Sequence, residues 1–129
     1  MKPEEYLEQF FTWYESDDYV TKYNARKKAL RAMFEGYRTA TGENKKVMNW
    51  LLTAHAELCR NEKKPESKRR HNVFVLRYVA GASTKEDACR LNICTATVCR
   101  DASVVLDDMM VLAFGVAGMV PYEFIPAFD

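Results

Sequence analysis

The chain has 129 residues, enough for one domain with one core, and its 48% hydrophobic and 29% charged residues exclude a disordered segment. The formal net charge is only +1, so total charge gives no pull toward nucleic acid or a membrane surface; any such case rests on where the charges lie. Residues 1–59 carry nine Lys/Arg and nine Asp/Glu, residues 60–71 (RNEKKPESKRRH) six and two, and residues 72–129 four and seven, so the segments are 0, +4 and −3. The most apolar run, Met109 to Val120, has twelve residues and two Gly, too short to span a bilayer. The start MKPEEYLEQFF places acids ahead of its apolar residues and predicts no signal peptide; four Cys then point to reduced thiols in a cytoplasm.

In chain order, a first helix is expected over 3–15. Pro3 suits its first turn, Glu4 and Glu5 suit the positive end of its dipole, and Leu7, Phe10, Phe11 and Tyr14 form its apolar side. These aromatics, with Trp13, read as core or as contacts with a second copy rather than as a base-stacking platform. Ser16-Asp17-Asp18 breaks the helix. A second is predicted over 19–39, burying Tyr23, Leu30, Met33, Phe34 and Tyr37 and leaving Lys22, Arg26, Lys28 and Arg31 as a solvated face. Gly42 reads as its stop. A third follows over 43–60 with Val47, Leu51, Ala54 and Leu58 in one stripe; Trp50 lies off it, turned to another element or a partner.

Asn61 to Ser67 reads either as a linker or as a loop entering a helix with Pro65 near its first turn. A fourth helix is predicted over 66–80, burying Val73, Leu76 and Val79 with Phe74, and Gly81 ends it. Ser83 to Leu91 forms a fifth, with Ser83 and Glu86 in capping-box spacing. Asn92 stands at a turn that calls for positive φ. The last helix starts near Thr95, aligns Val98, Ala102, Val105, Leu106, Met109 and Leu112 on one face, and reaches Phe114 before Gly115 and Gly118. The tail MVPYEFIPAFD, with two Pro, reads as extended. No strand pattern competes, so the class is all-α: an N-terminal helical part of about three helices over 1–62, for packing or oligomerisation, then a C-terminal unit over 63–129.

Within that unit the spacing is that of a helix-turn-helix. Ala88 allows a close crossing, Leu91, Ile93 and Val98 fill the wedge, and the start of the second helix stands proud of the surface, where it can enter a major groove. From about Arg70 to Gly115, roughly a third of the chain, the sequence resembles the helix-turn-helix of bacterial sigma factor region four. It is most similar to phage late-gene regulators of the ArpU and RinA type. The residues that carry the resemblance are HNVFVLRYVAG, the capping box S-T-K-E, A-C-R-L-N-I, the helix start T-A-T-V and the ending V-L-A-F-G. Asp87 and Asp101 depart from the pattern, since an apolar residue is usual at both places.

The resemblance implies a phage- or prophage-encoded transcription regulator that reads double-stranded DNA in the cytoplasm of a bacterial host. Phosphate contacts supply affinity and base contacts supply choice. Lys68, Arg69 and Arg70, with Lys63 and Lys64 before them, are the expected backbone clamp. Thr95, Ala96, Cys99, Arg100 and Ser103 are the expected exposed readers: Arg100 for a guanine, and Thr95 or Thr97 for a phosphate or a thymine methyl. The set is thin and predicts modest discrimination, which a homodimer held by the N-terminal helices would raise.

Other readings stand beside this one. The two helices can be only a packing corner, and the basic stretch only a solvated linker. A protein-interaction module that binds RNA polymerase or another transcription protein, without reading DNA, is the main alternative; the tail Val120 to Phe128 either docks there or folds back on its own core. Cys89, Cys94 and Cys99 recur every five residues, Cys59 is far off, and His55 and His71 are the only His, so no zinc ligand set or other cofactor site is expected. Cys99 has only Arg100 nearby to lower its pKa as a redox thiol. With no phosphate loop, nucleophile elbow or carboxylate–His grouping, no enzyme is expected.

Overall fold

The computed structural model describes residues 17–115 together with Lys2, Glu4, Glu5, Glu8 and Thr12. The all-α class holds: among the described residues there are five α-helices and no strand. They are α1 (Asp17–Glu35), α2 (Gly42–Glu62), α3 (Pro65–Phe74), α4 (Thr84–Leu91) and α5 (Thr95–Phe114). A 3₁₀ turn, Tyr37–Thr39, follows α1, and α3 continues as one π-helical turn, Val75–Val79. No helix among these residues is long and apolar enough to cross a membrane. In the expected first helix, Glu4, Glu5, Glu8 and Thr12 are helical and exposed; Pro3, Leu7, Phe10, Phe11, Trp13 and Tyr14 lie outside the described residues, as do Gly118 and the tail Val120 to Phe128.

Two helix boundaries differ from expectation at glycines. α1 stops at Glu35, short of residue 39, because Gly36 is a poor helix former; the chain tightens there into the 3₁₀ turn, with Thr39 N–H donating to the Gly36 carbonyl at 3.2 Å. Gly42 does not end this helix but opens the next, at φ +64°, a conformation that a side chain would strain.

The buried face of α2 is Met48, Leu51, His55 and Cys59, at steps of three, four and four. Of the expected stripe only Leu51 is fully buried. Val47 is 46% exposed, and Ala54 and Leu58 are half-buried. His55 and Cys59 lie inward, so a reading that counts only apolar residues rotates the helix by one position. Trp50, off the stripe, is 57% exposed.

Between α2 and α3 there is a two-residue turn rather than a linker: Lys63 is left-handed at φ 55°, Lys64 is extended, and Pro65 takes the first helical position. In the π turn Ala80 N–H donates to the Val75 carbonyl at 3.0 Å, five residues back. The extra residue turns Tyr78 fully inward and leaves Leu76 and Val79 half-buried; Val73 and Phe74 are buried as expected. Gly81 at φ +78° ends the helix.

Ser83 Oγ accepts from Glu86 N–H at 3.1 Å and caps α4. Asn92 is left-handed at φ 53° and ends it, with Ile93 N–H donating to the Ala88 carbonyl at 3.0 Å. Thr95 then opens α5.

The main core takes Leu30 and Phe34 from α1, Met48 and Leu51 from α2, Phe74 and Tyr78 from α3 and its π turn, and Ala102, Val105, Leu106, Met109 and Met110 from α5. Phe34 meets Phe74 edge-on, ring centroids 4.9 Å apart at 78°, across the 62/63 boundary. A smaller cluster of Val73, Ala88 and Val98, with Leu91 and Ile93 against it, holds α4 and the start of α5 on α3.

Candidate functional site

The corner made by α4 and α5 leaves the first turns of α5 accessible. Thr95, Ala96, Cys99 and Arg100 are exposed, and Arg100 has no hydrogen-bond or ion-pair partner among the described residues. Thr97 is half-buried, its hydroxyl 3.1 Å from Cys94 Sγ at the N-cap. Hydrogen bonds from Thr97, first its hydroxyl and then its backbone N–H, draw the exposed Cys94 thiol below its ordinary pKa. Ser103 does not belong with this surface. Its Oγ accepts from Lys27 Nζ of α1 at 2.8 Å, and Lys27 also pairs with Asp107 at 2.8 Å. Tyr23 donates its phenol to Asp107 at 2.6 Å, so this part of α5 is bound to α1.

The basic stretch divides in two. Lys63, Lys64 and Lys68 are exposed. Arg69 instead clasps Asp101 of α5, Nε to Oδ2 at 2.8 Å and Nη2 to Oδ1 at 3.1 Å, and Arg70 Nε lies 3.6 Å from Oδ1. Asp101 is 1% exposed, and this clasp holds the Arg69 guanidinium above its usual pKa. The departure at 101 is thus matched by a cation on the helix that packs against it, and Arg69 is a structural residue rather than a free phosphate ligand. Asp87, the other departure, is fully buried, and neither carboxylate oxygen has a hydrogen-bond partner. Burial pushes its carboxyl up to about 6 despite Arg77 and Arg90, which pull it down; Asp101 adds to the rise.

A cleft of about 810 Å³ opens between the end of α2 and the start of α3 and reaches Leu91 at the α4–α5 turn. Arg60, Lys63, Lys64, Lys68 and Arg69 line it, which gathers the +4 segment into one concave surface.

Cys59 and His71 line the same cleft. His55 Nδ1 and His71 Nδ1 are 2.9 Å apart, Cys59 Sγ is 3.6 Å from His55 Nδ1, and His55 Nε2 lies 3.0 Å from Asp108 Oδ2 of α5. The ligand atoms of His55, Cys59 and His71 all fall within 4.8 Å of one another. Burial pushes the Cys59 thiol up to about 11, with Glu62 and Asp108 adding to the rise. Burial, then His55, lowers the His71 pKa. Spacing along the chain set these residues apart. The available signal was His55 and Cys59 at i and i+4, one helix face, ahead of a turn short enough to fold His71 back onto it.

No family model matches the chain, and neither the curated proteins nor the solved structures contain a significant match.

Proposed function

We propose that this protein is a transcription regulator that binds double-stranded DNA through α4 and α5, of the phage or prophage late-gene type that its sequence resembles, acting in the cytoplasm of a bacterial host. One observation carries the reading: Arg100 stands exposed and unpaired at the start of a helix that leaves a packed two-helix corner, with a cationic cleft beside the turn. Arg60, Lys63, Lys64 and Lys68 neutralise phosphates and set register. Arg100 donates bidentately to a guanine edge, worth about 1–3 kcal/mol of discrimination, and Thr95 holds a phosphate or a thymine methyl. With Ser103 held by Lys27, the reading set shrinks to Thr95, Ala96, Cys99 and Arg100, with Thr97 at their edge. Two half-sites read by a homodimer supply the rest of the selectivity.

The test is binding to random-sequence duplex DNA at two salt concentrations, followed by selection of bound fragments. Lys64→Ala with Lys68→Ala should weaken binding to all sequences and lower the salt slope by about one per lysine. Arg100→Ala should relax choice at one base position and leave the fold intact. Equal affinity of Arg100→Ala and wild type for the selected site contradicts the role given to Arg100.

The withdrawal of Ser103 favours a second reading, in which the corner docks on RNA polymerase or another transcription protein without reading bases. Retention by purified polymerase, with no duplex binding at low salt, would decide for it.

A further inference from the structure

We propose that His55, Cys59 and His71 form a binding site for zinc or a similarly borderline divalent ion, with Asp108 as the residue that orients His55. The argument is independent of DNA binding.

The donor set is the one such ions select: two imidazole nitrogens and one sulfur, with no hard all-oxygen cage. The spacing fits. Two nitrogens held tetrahedrally at zinc bond lengths lie about 3.3 Å apart, and a nitrogen and a sulfur about 3.6 Å apart. The corresponding distances are 2.9 Å for His55 to His71 and 3.6 Å for Cys59 to His55, and all three ligand atoms fall within 4.8 Å, so an ion draws them together by rotation of the Cys59 and His71 side chains.

The decisive feature is on the far side of His55. Its Nε2 faces the Asp108 carboxylate at 3.0 Å, so Nε2 carries the proton and donates it, and the Nδ1 lone pair is turned toward His71, with Cys59 Sγ beside the ring at 3.6 Å from Nδ1 and 3.8 Å from Nε2. A carboxylate that accepts from the non-ligating nitrogen is the usual support of a metal-bound histidine. His55 is fully buried and Cys59 is 8% exposed, so the donors sit at the edge of the core and largely out of bulk water. The Cys59 thiolate and the Asp108 carboxylate together offset the two charges of the ion within a basic cleft. Cys59 and His71 line that cleft, which leaves the fourth coordination position to water or an added ligand. An ion there ties α2 to α3 beside Arg69 and Arg70, the residues that hold Asp101 of α5.

The experiment is titration of the chelator-treated full chain with Co²⁺ alone, followed by optical absorption. One Co²⁺ per chain is expected, with the visible bands of a four-coordinate ion and a near-ultraviolet thiolate charge-transfer band, both displaced by Zn²⁺. The bands should persist when Cys89, Cys94 and Cys99 are all changed to Ser, because Cys59 is then the only thiol. They should vanish in Cys59→Ser and in His71→Ala at unchanged helical circular dichroism. Absence of the bands in the parent, their loss in the triple-serine chain, or their survival in Cys59→Ser overturns the site. If Cys59→Ser or His71→Ala fails to fold, the triple-serine chain still decides: bands at one ion per chain support the site, and none refutes it.

Discussion

At the residue scale, the two aspartates that break the apolar pattern have opposite fates. Asp101 has Arg69, with two hydrogen bonds, and Arg70 nearby. Removing Arg69 takes both hydrogen bonds from the buried Asp101 and leaves only Arg70 beside it, so Arg69→Ala should destabilise the fold by about 1.5–3 kcal/mol. The exposed Lys68→Ala should change stability by no more than ~0.5 kcal/mol. Urea denaturation of both variants measures the contrast, and equal midpoints would show the Arg69 contact to be idle. Asp87 has neither hydrogen bond nor contact ion pair. Its folded carboxyl, raised from 3.8 to about 6, keeps its proton where the unfolded chain has lost it. The folded state therefore binds the extra proton, and stability falls as pH rises from about 4 to 6, then levels. Asp87→Asn removes the titrating group, so it should flatten this fall and be the more stable form at pH 7, by on the order of 2 kcal/mol. Denaturation midpoints of the two proteins at about pH 3.5 and about pH 7, on either side of that roughly two-unit window, check both the sign and the size.

At the element scale, helix ends were easier to read than helix faces. Ser83, Asn92, Pro65 and Gly81 act locally, through one hydrogen bond or one backbone angle, and each does what its residue type dictates. The inward face of α2 was misread because burial there is chosen by neighbours: His55 goes inside since Asp108 and His71 receive its nitrogens. The π turn shifted the tail of α3 for a similar reason, bringing Tyr78 against Phe74 at 4.6 Å. Of the expected wedge, Ala88 and Val98 are buried and Leu91 and Ile93 pack half-buried against them, while Val73 of α3, which the spacing did not bring in, completes the cluster. Val98 is fully buried. Val98→Asp puts an unpaired charge there and should cost more than about 4 kcal/mol, melting α4 away from α5. An unchanged thermal transition would refute the packing.

At the scale of the whole molecule, α5 touches every other described helix and makes one core from both halves of the chain. Phe34 of α1 is fully buried against Phe74 and Tyr78. Phe34→Ala should therefore cost about 3–5 kcal/mol. It should also speed amide exchange in α1 and α5 together, and loosening confined to α1 would mean that the halves fold separately.

The sequence by itself determined the class, most helix boundaries and the turn at Asn92, because periodicity, caps and left-handed positions are properties of neighbouring residues. It also placed the excess charge at 60–71. Only the tertiary structure decided which of those cations stay free. Asp101 is buried on α5, and Arg69 of α3 reaches it from across the fold, which takes that cation out of the free set. The same packing of helices joined His55, Cys59, His71 and Asp108, whose distances through space cannot be read from their separation along the chain.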